Sequence, residues 1–159
     1  MIILLFLIIA AGYDWKTREI PVWVYISGGT EAALWRIGRI TGILKHWENE
    51  AWIVFLHGNT GDIPFWEIAG GALMGAALLM FSRMTEGAIG SGDGMLFFIT
   101  GIYLGFWKNA MLLWGSLILC SCWGIGLLAV RQIKWPVGKR IEIPFIPFVL
   151  PVGIWLIFL

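Results

Sequence analysis

Residues 1–14 read Met1-Ile2-Ile3-Leu4-Leu5-Phe6-Leu7-Ile8-Ile9-Ala10-Ala11-Gly12-Tyr13-Asp14, thirteen uncharged residues followed by a carboxylate. As an α-helix those thirteen residues rise about 20 Å, less than the roughly 30 Å of hydrocarbon in a bilayer. With Met1 at the outer interface, a helix must continue past Asp14 and leave that carboxylate in the inner third of the membrane. A cleaved signal peptide would carry a basic stretch ahead of its apolar run. Nothing from Met1 to Tyr13 is charged, so the segment is expected to be a permanent span.

The rest of the chain has the same character. Of its 159 residues, 59% are hydrophobic and 13% charged, against roughly 25% charged in a soluble domain. So few polar residues cannot cover a water-soluble monomer of this size. The net charge of +1 excludes the electrostatic footprint of a DNA- or RNA-binding protein. Eleven tryptophans and twenty-one glycines fit a membrane protein, because Trp collects at membrane interfaces and Gly is common in membrane helices. Cys120 and Cys122 lie in an apolar run and are expected to be small buried thiols, without disulfide or zinc.

The expected fold is an all-α polytopic membrane protein, a single domain over residues 1–159 with six spans. These are Met1–Tyr13, Val22–Ile43 (interrupted by Gly28-Gly29), Ile63–Ser82, Gly94–Phe106, Ala110–Val130 and Phe145–Leu159. The stretch Lys45–Leu56 is too short in its apolar part to cross, and reads as an interfacial segment leading to a turn at Gly58–Gly61. One set of loops holds seven basic residues: Lys16, Arg18, Arg83, Arg131, Lys134, Lys139 and Arg140. The opposite set holds four: Arg36, Arg39, Lys45 and Lys108. Basic residues favour the cytoplasmic side, which places both termini outside.

Ionisable groups at membrane depth are costly and usually face the bundle interior. Asp14 is one; Asp93, in Gly90-Ser91-Gly92-Asp93-Gly94 at the start of the fourth span, is the other. Two crossings separate them, so both belong to the same membrane side whatever the absolute orientation. Two carboxylates sharing a site cannot both ionise easily, and a proton is then shared between them. One can act as base on water while the other donates to a scissile carbonyl. This aspartic-protease chemistry needs neither metal nor cofactor. The bland alternatives are that Asp93 caps its helix and that Asp14 caps a helix or pairs with Lys16 or Arg18.

At these residues the chain resembles the type IV prepilin peptidases, GxGD-type intramembrane aspartic proteases. Asp14-Trp15-Lys16-Thr17-Arg18-Glu19-Ile20-Pro21 is similar to that family's D-x-x-x-R-x-I-P segment. Gly90-Ser91-Gly92-Asp93 matches its G-x-G-D motif, and Ile143-Pro144-Phe145-Ile146-Pro147-Phe148 resembles its I-P-F-x-P-F approach to the last span. The likeness covers essentially the whole chain. It implies a multi-pass peptidase of the cytoplasmic (inner) membrane, removing the short basic leader of prepilins or pseudopilins on the cytoplasmic side. Asp14 and Asp93 would be the catalytic pair. Gly90, Gly92, Gly94, Lys16, Arg18, Pro21, Pro144 and Pro147 would be motif or substrate-binding positions. Val22 stands where the family usually has Asn, and Met95 where it usually has Lys. No CxxC motif is present, and a peptidase without the family's N-terminal methyltransferase domain is expected.

Glu86, the extra acid nearest Asp93, is a candidate contact for a basic leader. His46 and His57 fall across the membrane from both aspartates, and Lys139-Arg140 reads as a topology signal. Gly71–Gly75 and Gly101–Gly105 have the small-xxx-small spacing of helices that pack closely within one chain. Trp15, Trp23 and Trp66 are expected interface anchors. Tyr13-Asp14 echoes the Y-D pair of presenilin-like proteases, but Val149-Leu150-Pro151 is not their P-A-L motif. A proton-coupled transporter would be expected to carry acids near mid-span or inverted repeats. The partners expected are the prepilin substrate and the lipid bilayer; the sequence carries no sign of oligomeric state.

Overall fold

The computed structural model describes residues 2–17, 19–41, 63–85, 90–134 and 145–158. Five helices make up the described fold: α1 (Ile2–Thr17), α2 (Val22–Ile40), α3 (Phe65–Met84), α4 (Ser91–Lys134) and α5 (Ile146–Phe158). Among the described residues there is no strand, in agreement with the expected all-α class. Pro21 and Pro64, both extended at φ −63°, set the starts of α2 and α3. Proline supplies no N–H, and a helix start does not need one. As the length argument required, α1 runs on through Asp14 to Thr17. The expected interruption at Gly28-Gly29 does not occur. Gly28 instead receives the Phe6 ring and Gly29 faces Ile99, so the glycines let α1 and α4 close onto a continuous α2.

The expected fourth and fifth spans form one element, folded sharply at Gly105. That residue has φ +77° and ψ −178°, outside helical space. In a straight helix Phe97 and Asn109 would stand about 18 Å apart along the axis. Here Asn109 Nδ2 donates to the Phe97 carbonyl at 3.0 Å, and Thr100 Oγ1 donates to Asn109 Oδ1 at 2.8 Å. The chain therefore doubles back, bringing Phe97 and Thr100 of the first arm against Asn109 at the start of the second. The sequence reading of Gly101 and Gly105 as a packing pair holds only for Gly101. A Cβ at Gly71 would stand 2.5 Å from the Gly101 carbonyl oxygen, and Gly75 meets the backbone of Phe98. Helices α3 and α4 thus cross backbone to backbone, as the glycine spacing predicts, while Gly105 makes the reversal.

The core joins Ile3, Leu7 and Ala10 of α1 to Leu96, Phe97 and Tyr103 of α4 and Val149 of α5. Large apolar side chains also cover the outside, among them Leu34 of α2, Leu73 of α3, Trp114 and Ile125 of α4 and Trp155 of α5. Two helices, Phe65–Met84 and Ser91–Leu127, are long and apolar enough to cross a membrane, and most of their residues lie outside the core. A core helix of a water-soluble protein would bury such a surface. Cys120 is half-buried and Cys122 exposed, so the expected burial fails for Cys122, which lies on this outer surface. Trp15, Trp23 and Trp66 are exposed near helix ends. The expected interfacial segment Lys45–Leu56 and the Gly58–Gly61 turn lie outside the described residues, as do His46, His57, Arg18, Glu86, Lys139, Arg140 and Pro144.

Candidate active site

One end of the bundle gathers four helix termini. Asp14 stands in the last turn of α1, Tyr25 in the first turn of α2, Asp93 in the first turn of α4, and Ile146 opens α5. The Ile146 N–H donates to Asp14 Oδ2 at 3.1 Å. The first N–H groups of a helix have no partner within it, and the N-terminal end of its dipole favours a carboxylate. Pro147 follows and has no N–H to offer. Asp14 thus caps a helix, as its bland reading allows, but the helix is α5, on the far side of the sequence. Asp14 and Asp93 lie within electrostatic reach of each other, and both act on Tyr25. The structure brings together the two carboxylates that the sequence singled out.

Asp93 is not the N-cap expected of the bland reading. Helix α4 begins at Ser91, and the Asp93 N–H donates to the Gly90 carbonyl at 3.1 Å, closing the first turn. The glycines around it meet three different neighbours. A Cβ on Gly90 would sit 3.1 Å from Asp93 Oδ2. One on Gly92 would fall 2.7 Å from the Tyr25 hydroxyl oxygen, and one on Gly94 2.9 Å from both the backbone and side chain of Leu79 in α3. A side chain at any of the three would push against Asp93 itself, against α2 or against α3. The motif is a packing requirement on three sides of one carboxylate.

Of the remaining candidates, Pro21 starts α2 and positions Tyr25 one turn later. The edge-to-face contact of Tyr13 with Trp23, at 5.9 Å between centroids, holds the ends of α1 and α2 together there. Lys16 is exposed at the end of α1, and Pro147 is half-buried in the first turn of α5. Val22 and Met95, the two departures from the family pattern, are 67% and 39% exposed, so neither belongs to the buried core beneath the carboxylates. An open groove of about 370 Å³ runs between α4 and α5, lined by Met111, Ile118, Pro151 and Trp155 among others. It holds no titratable group and is remote from acid–base chemistry.

Sequence reasoning passed over a second polar cluster at the other end of the bundle. Arg36 of α2 is only 5% exposed. Its Nε donates to the Ile102 carbonyl at 2.9 Å and its Nη2 to the Tyr103 carbonyl, both in the last turn before the Gly105 reversal. The Tyr103 hydroxyl donates to Glu31 Oε1 at 3.0 Å. Arg36 therefore helps end a helix arm inside the protein, where carbonyls would otherwise lack donors, and Glu31 anchors the Tyr103 side chain beside it. Their signal was present as two charges, Glu31 and Arg36, inside an apolar span. Tyr25 was also missed, because a tyrosine in an apolar helix carries no motif of its own.

Residues 1–125 match the model of the type IV leader peptidase family. The match includes Asp14, Pro21 and the Gly90–Asp93 motif, and stops short of the Ile143–Phe148 stretch. No curated protein and no solved structure matches the chain.

Proposed function

This chain belongs to the type IV leader peptidase family, and we propose that it is a membrane-embedded aspartic endopeptidase with Asp14 and Asp93 as its catalytic pair. Its substrates are prepilins or pseudopilins, cut between a short basic leader and an apolar helix on the cytoplasmic side of the inner membrane. The observation that carries the reading is that Asp14 and Asp93, from helices far apart in the chain, lie within electrostatic reach of each other at one end of the bundle. The six crossings follow if the two arms of α4 cross separately. Arg18, Glu86 and Pro144, outside the described residues, are further candidate substrate-binding positions on this reading, with Glu86 proposed to recognise the basic leader.

In the reaction, one aspartate is ionised and the other protonated. The carboxylate removes a proton from water as the water oxygen bonds to the scissile carbonyl carbon. The protonated aspartate donates to the carbonyl oxygen, giving a tetrahedral intermediate. Its collapse breaks the C–N bond: the aspartate that took the water proton gives it to nitrogen, releasing the new amino terminus, and one hydroxyl of the intermediate returns its proton to the other aspartate. Both aspartates end the cycle sharing one proton again.

The test is leader removal from a prepilin by the purified chain in detergent, followed on a gel. Asp14→Asn and Asp93→Asn are each expected to lower the rate about 10²–10⁴-fold. Wild-type activity in either variant sinks the assignment. Because Asp14 also caps α5, its variant should be checked for thermal stability beside Asp93→Asn.

A further inference from the structure

Tyr25 does something that packing alone does not require. The side chain is 8% exposed, and its hydroxyl is buried without a hydrogen-bond partner among the described residues. Phenylalanine would fill the same volume without a polar atom to desolvate, and a buried hydroxyl with no partner is a burden on the fold. The hydroxyl is not in a remote part of the core. It points at the α4 backbone beside the proposed catalytic acid, 2.7 Å from the position a Cβ would take on Gly92. It also lies within electrostatic reach of both Asp93 and Asp14. The glycine at 92 is what leaves room for it.

We infer that Tyr25 is a third catalytic residue, whose hydroxyl donates a hydrogen bond to the scissile carbonyl oxygen as that oxygen gains charge. The inference rests on the aspartic-peptidase reading above. A carbonyl oxygen has two lone pairs: one meets the protonated aspartate, and the other meets Tyr25 Oη–H. The phenol keeps its proton throughout, so the proton balance of the two aspartates is unchanged. Its proposed partner is the scissile carbonyl, consistent with a donor that has none among the described residues. A donor held in place beforehand in a dry site costs no reorganisation at the moment of reaction.

The decisive comparison is Tyr25→Phe in the full chain, assayed against a prepilin beside Asp14→Asn and Asp93→Asn. Expected is a kcat about 10²-fold lower with KM within about 2-fold of wild type, the pattern of a lost transition-state donor. The thermal midpoint in detergent is expected to stay level or rise, because the variant removes an unpaired buried hydroxyl. Wild-type kcat in Tyr25→Phe, with both aspartate variants dead, overturns the role of Tyr25 alone. A lowered midpoint overturns it too, since the hydroxyl would then be holding the fold. Full cleavage by either aspartate variant overturns the catalytic pair, and the role of Tyr25 with it.

Discussion

Gly92 shows how tightly single residues are specified at the candidate site. By helix propensity alone, alanine should improve the first turn of α4 by up to about 1 kcal/mol. In the folded protein its methyl group would press on the Tyr25 hydroxyl. The two effects oppose each other, and overpacking, at about 1–3 kcal/mol, outweighs propensity. Gly92→Ala is therefore expected to lower the unfolding midpoint in the wild-type background. In Tyr25→Phe, where the obstructing oxygen is gone and the ring carbon behind it stands 3.9 Å away, the same change should be neutral or stabilising. A thermal-unfolding double-mutant cycle in detergent reads the coupling directly, and equal effects in both backgrounds would refute the contact. None of this was visible in Gly-x-Gly-Asp as a string: the motif said that side chains were unwelcome, but not which neighbours refused them.

At the scale of elements, α4 is decided by Gly105. Its φ of +77° with ψ of −178° belongs to backbone space that is essentially restricted to glycine. Ile63 stands 3.0 Å from where a side chain would begin. Gly105→Ala is expected to cost about 1–3 kcal/mol from backbone strain, read as a lower midpoint or denaturant resistance in detergent. An unchanged midpoint would mean that the reversal does not depend on this conformation. The apolar runs on either side were legible as separate spans from hydropathy, and their glycine spacing correctly announced close packing at Gly71, Gly75 and Gly101. Spacing could not distinguish a packing glycine from a turning one, because both present a missing Cβ and only the backbone dihedral separates them. Asn109 illustrates the same limit: a polar residue between two apolar runs looks like part of a loop, yet it is fully buried and ties the arms of α4 to the Gly71 carbonyl of α3.

Across the molecule, two of the polar clusters among the described residues stand at opposite ends of an apolar bundle. Asp14, Asp93 and Tyr25 occupy one end, and Glu31, Arg36 and Tyr103 the other. The second cluster closes a helix end, while in the first Asp14 caps α5 and the Tyr25 hydroxyl has no hydrogen-bond partner among the described residues. If the bundle crosses the membrane six times, residues 82–91 and 132–143 lie on the same side as the aspartates. Reporter tags placed in both segments should each report the cytoplasm, and opposite reports would break the six-crossing topology. Composition and order were enough to point to an apolar helical protein and to single out Asp14 and Asp93, because hydropathy and charge scarcity are properties of the chain as written. Folding alone decided that Asp14 would cap α5, that Gly105 would turn the chain, and that the Tyr25 hydroxyl would be buried against Gly92 within electrostatic reach of both acids. Those outcomes depend on which helices touch, and contact between distant segments leaves no periodic trace in the sequence of either one.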